Sequence, residues 1–441
     1  MKLIEPRNLK GFRDYLPTDQ IPRSIMFSKI KAVFERFGFE PLETPVLEYE
    51  DILAGKYGTE GEKLMYRFKD NGQRNVAMRY DLTVPLARVS AQYQNDLPKP
   101  FKRYQIAPVW RAENTQKGRY REFYQCDVDV VGAPAGIADA ECIAMVEQIF
   151  LDLGIKKFVV KVNNRKILNA IMLTAGVSED KMLDAIRAID KLDKVGAKDV
   201  VSELKEKVGL SSNEAEGLIT LASTKVPDVG ALKAFINKYI LKQPQGQEGF
   251  DELNSVFTAL KAFGTKNVEI DLSLARGLDY YTSTIFETII TETIDSRKYG
   301  SVAGGGRYDG LIKLFTGKDV PAVGISIGID RLFAAMEDLG LVKKQGIVSV
   351  LVLNMEKSLQ KEYLKIVTDL RKVGINSELY YTSAEMKKQF AFAEAKNIPY
   401  GILLGLEEAK KGTVTLRNLK TRKQKTIKQK DLLKELKKVL K

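Results

Sequence analysis

The 441 residues of the chain are 44% hydrophobic and 29% charged, with a net charge of +13, a composition typical of two or three globular domains. No segment approaches the ~20 apolar residues that cross a bilayer, and the N-terminus has charges where a secretory signal needs an apolar run, so we expect a cytoplasmic protein without membrane contact. Histidine is absent and only Cys126 and Cys142 are present, which excludes a Ser-His-Asp triad, a histidine general base and a Cys/His metal site.

The first 132 residues are predicted to form a helix followed by antiparallel strands. Residues 22–38 place apolar side chains at helical spacing and end at Gly38, which favours a helix stop. Strand-like segments follow from about residue 60: EKLMYRFKD, RNVAMRYDLTVPLAR, KRYQIAPVWRAEN and YREFYQCDVDVVG. Several of them alternate apolar and polar residues, as antiparallel strands do.

A helical insertion is predicted to interrupt this strand-rich core. SSNEAEGLITLAS begins with the Ser211-to-Glu214 spacing of a capping box, which predicts a helix start. The next strand-like segment is NVEIDLSLARGLDYYTSTIFETIITE. We therefore expect a core over residues 1–330, an insertion within it over residues 165–260, and the end of the core with a linker over residues 331–344.

Residues 345–441 are predicted to be a separate unit. Their β-α-β-α-β alternation indicates a small α/β domain with a mostly parallel sheet at its centre. The segment holds 21 Lys and Arg against 10 Asp and Glu, a net charge of +11. This charge is typical of a nucleic-acid-binding surface and equally of a solubilising one, and charge alone does not separate the two.

The segment RYDLTVPLAR (79–88) is predicted to place Asp81 and Thr83 on one side of a strand, because side chains two residues apart share a face. A carboxylate and a hydroxyl in that arrangement bind an ammonium group by charge and hydrogen bonds. Taken alone, the pair favours a plain exposed strand edge.

The segment VWRAENTQKGRYREFYQCDVDVVG (109–132) is predicted to be a hairpin. Its turn is surrounded by basic residues: Arg111, Lys117, Arg119 and Arg121. One face of its second arm carries Phe123, Gln125, Asp127 and Asp129. The planar fork of arginine suits phosphate, and the neighbouring aromatic residues favour a binding site over a charged, fully exposed hairpin.

Two further clusters contain glycine. RGLDYYTSTIFE (276–287) sets Arg276 ahead of Tyr280 and Tyr281, and its tail alternates as a strand does. AGGGRYDGLIKLF and GISIGIDRLF lack the lysine and the spacing of nucleotide-binding glycine loops. They predict close backbone approach to a ligand, with Arg331 at the start of a helix, or a tight connection between strands.

In this order, the four clusters resemble the class II aminoacyl-tRNA synthetases. FGFEPLETPVLE resembles the dimer-forming first motif of that class, residues 110–132 the second and GISIGIDRLF the third, while RGLDYYTSTIFE and GGGRYDGL resemble signatures of the histidyl-tRNA synthetase branch. The resemblance covers nearly the whole chain. It implies an α/β protein whose α+β catalytic core is an antiparallel sheet flanked by helices, with a helical insertion and a C-terminal α/β anticodon-binding domain.

The resemblance implies ATP-dependent activation of L-histidine and its transfer to tRNA(His) by a homodimer, with Mg²⁺ accompanying ATP. A competing interpretation is a related subunit that senses histidine for a histidine-biosynthetic phosphoribosyltransferase. Such subunits typically lack the anticodon domain and lose the ATP-binding arginines, whereas this chain retains both. A synthetase-like RNA-binding module of a signalling enzyme fits less well, because the chain carries no additional catalytic domain.

The resemblance also implies roles for individual residues, with Arg111 and Arg276 as the catalytic pair on the reacting phosphate. The residues implied to bind histidine are Asp81, Leu82, Thr83, Arg111, Gln125, Asp129, Arg276, Tyr280, Tyr281 and Tyr308. Those implied to bind ATP are Arg111, Glu113, Arg119, Phe123 and Arg331. Gln116 and Lys117 are implied to meet the acceptor end of the tRNA.

This chain departs from the pattern of many family members in two places. Ala112 and Tyr124 stand where many members have histidine, and Asp81 stands where a glutamate is usual in bacterial members. The shorter Asp81 side chain keeps its charge, so the ammonium contact is retained.

Overall fold

The computed structural model describes residues 3–115, 120–276, 280–292, 300–343 and 345–440. The chain divides into two units, Met1–Arg13 with Met26–Leu341, and Asp14–Ile25 with Val342–Lys441. Among the described residues, no helix is long and apolar enough to span a membrane.

The first unit contains twelve strands within its described residues. In chain order they are β1 Glu40–Pro41, β2 Leu47–Tyr49, β3 Arg67–Lys69, β4 Asn75–Met78, β5 Phe101–Trp110, β6 Glu122–Val131, β7 Phe158–Asn164, β8 Lys225–Val226, β9 Val268–Asp271, β10 Thr284–Ile290, β11 Ser301–Arg307 and β12 Ala322–Gly328. Nine of them form one sheet in the order β1-β5-β6-β12-β11-β10-β7-β9-β8. Its central pairs, from β5 to β7, are all antiparallel, which confirms the predicted core.

Helices precede, separate and follow these strands. They are α1 Pro17–Arg36, α2 Glu50–Leu53, α3 Gly58–Leu64, α4 Thr83–Gln92, α5 Ile137–Leu153, α6 Arg165–Thr174, α7 Met182–Ile189, α8 Leu192–Val195, α9 Ala197–Glu203, α10 Ser212–Ala222, α11 Val229–Phe235, α12 Pro244–Phe263, α13 Lys313–Thr316 and α14 Ile329–Asp338. From α6 to α12 the regular elements are all helical apart from the two residues of β8. The predicted capping box is present at α10, where Ser211 and Glu214 each accept a hydrogen bond from the other's backbone N–H.

Helix α5 covers one face of the large sheet because it is apolar on nearly every side. Most of its residues are buried, and it packs against β6 and β12. Asp139 of α5 accepts hydrogen bonds at 3.1 and 2.8 Å from Arg307, a buried side chain on this face of β11. The alternate positions of β11, such as Gly304, therefore face the opposite side of the sheet.

The prediction of a strand through RYDLTVPLAR is wrong. Strand β4 ends at Met78, and helix α4 begins at Thr83. The Oδ1 atom of Asp81 accepts hydrogen bonds from the backbone N–H groups of Thr83 and Val84 at 3.2 and 3.0 Å, so the carboxylate satisfies donors that a helix start leaves open. Pro85 fits the first turn, where its missing N–H costs nothing.

One other segment also differs from the predicted structure. EKLMYRFKD was expected to be a strand throughout, but its first part ends helix α3 and only Arg67–Lys69 form a strand. A short apolar run does not show whether its residues form a helix turn or a strand, because a helix turn and a strand of four residues bury the same residue types. The glycine run of AGGGRYDGL lies inside strand β11, which excludes a tight connection, the second of its two interpretations.

The second unit has a five-stranded sheet. Its strands are β13 Val350–Val352, β14 Ser377–Leu379, β15 Tyr400–Leu403, β16 Thr413–Asn418 and β17 Gln424–Lys428, and its helices are α15 Gln360–Lys372, α16 Met386–Ala395, α17 Leu406–Lys410 and α18 Leu432–Val439. The order is β14-β13-β15-β16-β17, with β13 parallel to both of its neighbours and the last two pairings antiparallel. The predicted α/β domain with a parallel centre is therefore confirmed.

Candidate active site

A cavity of about 1270 Å³ lies on the face of the nine-stranded sheet opposite α5. Strands β6, β12, β11, β10 and β7 contribute residues to it, and so do the turn before α4 and the segment around residue 276. The residues implied by the family resemblance that line this one cavity are Asp81, Thr83, Arg111, Glu113, Phe123, Gln125, Asp129, Arg276, Tyr280, Tyr281, Tyr308 and Arg331. Residues from five distant parts of the chain are thus brought together.

Asp81 forms part of the cavity wall at the start of α4. Besides the two backbone N–H groups at the helix start, its Oδ1 atom accepts a hydrogen bond from the hydroxyl of Tyr57 at 3.0 Å. Burial raises the pKa of Asp81, and these hydrogen bonds partly offset the effect. The carboxylate is consequently held in one orientation by the helix and by Tyr57, as a preorganised acceptor requires.

Strand β6 lays a row of polar side chains along the cavity, because alternate residues share a face. Gln125, Asp127 and Asp129 all line the cavity, as the period of two predicts. Burial raises the pKa of Asp127 to about 7, with Asp129 adding to the rise and Arg103 opposing it. Sequence reasoning placed Asp127 on this face but gave it no role.

Asp129 is held by two neighbours. The Nη2 atom of Arg103 lies 2.6 Å from its Oδ2 atom, and the hydroxyl of Tyr308 donates a hydrogen bond to its Oδ1 atom. Burial raises the pKa of Asp129, while Arg103 and Tyr308 act in the opposite direction. Arg103 is fully buried, and sequence reasoning missed it, since one arginine within an apolar strand does not reveal which carboxylate it will meet.

Three tyrosines form the wall beside Asp129. The ring centroid of Tyr280 lies 4.9 Å from that of Tyr281 and 6.1 Å from that of Tyr308. Tyr281 and Tyr308 are buried, and burial raises the pKa of Tyr280 and Tyr308 well above the usual value. The phenols of Tyr280 and Tyr308 are therefore neutral hydrogen-bonding groups at physiological pH.

Arg276 is held in a strained backbone conformation at the edge of the same cavity. Its φ angle is +54°, a region that residues other than glycine rarely adopt. Its Nη1 atom donates to Oε1 of Glu287 at 3.0 Å. Arg165 donates to the backbone carbonyl groups of residues 275 and 276 at 2.9 and 3.4 Å, which fixes the main chain beneath the side chain.

Gly304 makes room for the Arg276 guanidinium. A Cβ atom at Gly304 would lie 2.4–2.7 Å from three atoms of that group, far inside van der Waals contact. The guanidinium thus lies directly on the backbone of β11. This contact explains the first glycine of the run, which predicted close approach of the backbone to a partner.

Arg111 enters the cavity from the other side. Its Nε atom donates to the carbonyl oxygen of Tyr80 at 3.1 Å, and its guanidinium carbon lies 4.4 Å from the Tyr80 ring centroid and 5.1 Å from that of Phe123. Arg331, near the start of α14, donates to the carbonyl of Ser301 at 3.0 Å. In each residue one guanidinium nitrogen donates the hydrogen bond given above, and both residues line the cavity.

Several predicted residues are not placed in the cavity. Leu82 is fully buried and packs with Ala107 and Val109, and only its backbone carbonyl contacts the site, by accepting from Arg103 at 3.0 Å. Gln116, Lys117 and Arg119 lie outside the described residues. Polar lining residues to which the sequence reasoning gave no role include Asp127, Lys161, Asp190, Glu287 and Ser326.

Comparisons with known proteins agree along the whole chain. A family model described as Histidyl-tRNA synthetase matches residues 11–332, and one described as Anticodon binding domain matches residues 348–439. A "Histidine--tRNA ligase" of Wolinella succinogenes is 42% identical over 422 residues, covering 95% of this chain and 94% of the relative. Another, of Rhodopirellula baltica, is 39% identical over 425 residues, covering 95% of both.

A solved structure shows the same fold. The histidyl-tRNA synthetase of Nostoc sp. PCC 7120 matches this chain with a TM-score of 0.88 and 31% sequence identity, over 99% of this chain and 100% of that one. The fold, the composition of the cavity and the family match therefore lead to one conclusion: this chain belongs to the histidyl-tRNA synthetase family.

Proposed function

We propose that this chain activates L-histidine with ATP, forming histidyl-adenylate and pyrophosphate, and transfers the histidyl group to the 3′ end of tRNA(His). The observation that carries the proposal is a single cavity with buried carboxylates at one end and three arginines from separate elements around the rest, in a chain of this family. All substrates of the reaction occur in the cytoplasm, which is the compartment we propose.

Histidine is proposed to lie along β6. Asp81, Thr83 and Gln125 would bind the α-ammonium group, while Asp129 and Tyr281 would bind the two ring nitrogens. An acidic acceptor and a phenol together match both polar ends of an imidazole. A site built for two such hydrogen bonds rejects an apolar side chain of similar size, because its own buried polar groups would be left unpaired.

The activation step needs no protein base. The attacking carboxylate of histidine is already ionised at neutral pH, so a chain without histidine residues loses nothing. The reaction instead needs the carboxylate and the α-phosphate in line, with the charge on the phosphate oxygens stabilised. Arg111 and Arg276, which enter the cavity from different elements, are proposed to supply both effects.

ATP is proposed to occupy the end of the cavity near Phe123 and Arg331. Phe123 would stack on the adenine, and Glu113 would hydrogen-bond the edge of the adenine ring. Arg331 and Arg119 would bind the distal phosphates. Mg²⁺ would arrive with the nucleotide, because among the described residues no group of three or more acidic or sulfur side chains could hold a metal ion. Magnesium bound chiefly by phosphates and water fits this donor set.

Transfer to tRNA is proposed to involve three further parts of the chain. Gln116 and Lys117 would meet the acceptor end, the helical insertion over residues 165–260 would clasp the acceptor stem, and residues 345–441 would bind the anticodon. The net charge of +11 on this last segment supports binding of a polyanion. A phosphate oxygen of the adenylate would take the proton from the attacking ribose hydroxyl.

A homodimer is proposed because the first unit exposes apolar side chains on its small sheet. This sheet has the order β2-β4-β3, and Leu47, Tyr49 and Phe68 are each 43–55% exposed on it. Tyr49 and Phe68 pair with the same residue of β4, so they share one face. An exposed apolar sheet face adjoining the first-motif segment suits a second copy of the chain.

Sedimentation equilibrium tests the dimer. The wild-type chain should sediment at twice its 49.5 kDa, and Leu47→Asp should shift it toward 49.5 kDa by placing a charge in the contact. Leu314→Asp, an equally large change at another exposed leucine of the same unit, serves as the control and should leave the mass unchanged. A monomeric wild type would contradict the proposal.

Histidine-dependent ATP–pyrophosphate exchange, measured with each of the twenty amino acids, tests the proposed activity. We expect exchange with histidine alone, because only histidine satisfies both ends of the pocket. Tight histidine binding without exchange would instead favour the histidine-sensing subunit. Exchange followed by charging of tRNA(His) distinguishes a complete synthetase from one that only activates the amino acid.

A further inference from the structure

Ser326 on β12 connects two polar side chains of β6. Its Oγ atom accepts a hydrogen bond from the Nε2 atom of Gln125 at 2.7 Å, and Ser326 is paired directly with Asp127 across β12 and β6. A serine hydroxyl has one proton, which the ionised form of Asp127 can accept. Because the hydroxyl oxygen accepts from Gln125, the Gln125 NH₂ group faces Ser326 and its amide oxygen faces away.

Two buried acceptor atoms in this row have no partner within the described residues. They are Oε1 of Gln125 and Oδ1 of Asp127, which belong to side chains that are 7% and 2% exposed. Both residues line the cavity, two positions apart on the same face of β6. Buried acceptors are nearly always hydrogen-bonded, so this pair is arranged for a donor that arrives with a ligand.

The charges around Asp127 favour a positive donor. Asp127 faces Arg103 from β5, Ser326 from β12, Asp129 from its own strand and Asp81 from the turn before α4. Asp127 and Asp129 therefore share the guanidinium of Arg103, Asp81 faces Arg111, and burial raises the pKa of all three carboxyl groups. An ammonium group offers three N–H donors and one positive charge, which is what these acceptors lack.

We propose that Asp127 is a further histidine-binding residue, whose Oδ1 atom accepts a hydrogen bond from the α-ammonium group beside Oε1 of Gln125, and that Ser326 is the positioning residue that turns both acceptors toward it. This inference rests on the proposed function, since it assumes histidine as the occupant. It adds a third carboxylate to the pocket and gives a reason for the hydroxyl at position 326.

Proton release is a consequence of this arrangement. In the empty site the pKa of Asp127 is about 7, so near neutral pH the carboxyl is partly protonated. A bound ammonium group favours the ionised form, so binding expels the proton. Because the folded pKa is raised, the ionised form is lost as pH falls through 7, and histidine affinity should fall with it.

Calorimetric titration of the full-length enzyme with two ligands tests the inference. The ligands are L-histidine and 3-(imidazol-4-yl)propanoate, which lacks only the amino group. Asp127→Asn should weaken histidine binding about 10- to 100-fold, the range for a charge-assisted hydrogen bond, and should not weaken binding of the deaminated analogue. Ser326→Ala should also weaken histidine binding without weakening binding of the deaminated analogue. Its effect should be smaller than that of Asp127→Asn, because the charge of Asp127 remains.

Titrations at pH 7 in two buffers of different ionisation enthalpy give the number of protons released. The wild type should release more protons on binding histidine than the Asp127→Asn variant, and the titrating imidazole of the substrate contributes equally to both. The inference would be overturned if Asp127→Asn bound histidine as tightly as the wild type does. It would also be overturned if the substitution weakened binding of histidine and of the deaminated analogue equally. If the wild type itself fails to activate histidine, the proposed function fails instead, so the two failures are distinguishable.

Discussion

Replacing Arg276 with alanine is expected to lower kcat for histidine-dependent ATP–pyrophosphate exchange by about 100- to 1,000-fold, the loss typical of removing one preorganised group from a charged transition state. The guanidinium is held by Glu287 and lies against the backbone at Gly304, so its stabilising effect requires no rearrangement during the reaction. The KM for histidine should change much less than kcat, because the proposed role of Arg276 is to stabilise charge that develops at the phosphate.

Arg417→Ala is the matched control for this experiment. It removes the same charge from strand β16 of the second unit, where the Arg417 guanidinium lies over the Phe390 ring, and pyrophosphate exchange does not require tRNA. The control should therefore retain exchange activity. If Arg276→Ala retained kcat and changed only KM, the guanidinium would be a binding group and its assignment to the reacting phosphate would be wrong.

Gly304→Ala tests the contact between the backbone of β11 and the Arg276 guanidinium. The added Cβ atom would displace the Arg276 side chain, so kcat should fall, though by less than in Arg276→Ala. Combined with Arg276→Ala, the glycine substitution should have little additional effect, because the group that it displaces is already gone. Full additivity of the two losses would show that Gly304 acts independently of Arg276.

Replacing Asp129 with asparagine is expected to reduce kcat/KM for histidine by at least about 100-fold, since the buried pocket would lose the negative charge that is proposed to accept from the ring N–H. The substitution also removes the charge opposite the fully buried Arg103, so the free energy of unfolding should fall by about 3 kcal/mol. Exchange kinetics and chemical denaturation measure the two effects separately.

The buried pair of Asp139 and Arg307 provides the control for Asp129→Asn. This pair is equally buried but lies on the α5 side of the sheet, away from the cavity. Asp139→Asn should therefore destabilise the chain to a similar extent while leaving kcat/KM for histidine unchanged. If both variants lost activity in proportion to their stability, Asp129 would be a structural residue only.

Sequence patterns predicted those parts of this chain that depend on local periodicity. The antiparallel strands β5 and β6, the shared face of Gln125 and Asp129, and the β-α-β alternation of the second unit all follow from side-chain spacing within one segment. The strand predicted through Asp81 was wrong, because a carboxylate that caps a helix start and one that lies on a strand edge have the same neighbours in sequence.

Only the tertiary structure decided which residues meet. Arg103 and Asp129 become partners because β5 and β6 pair in one register, and a shift of a single residue would turn one of them to the other face. Ser326 contacts Gln125 and Asp127 only because β12 adds to the sheet next to β6, 201 residues away from Gln125 in the chain.

The amino-acid sequence by itself determined the class of chemistry, since a chain without histidine must work with arginines, carboxylates and hydroxyls, and its signature segments identify the family. The geometry of the cavity was decided by the fold: the orientation of Arg276 over Gly304, the charge balance around Asp127 and the direction of the Gln125 amide. Each of these depends on distances between elements far apart in sequence, and electrostatic and hydrogen-bond energies change steeply with such distances.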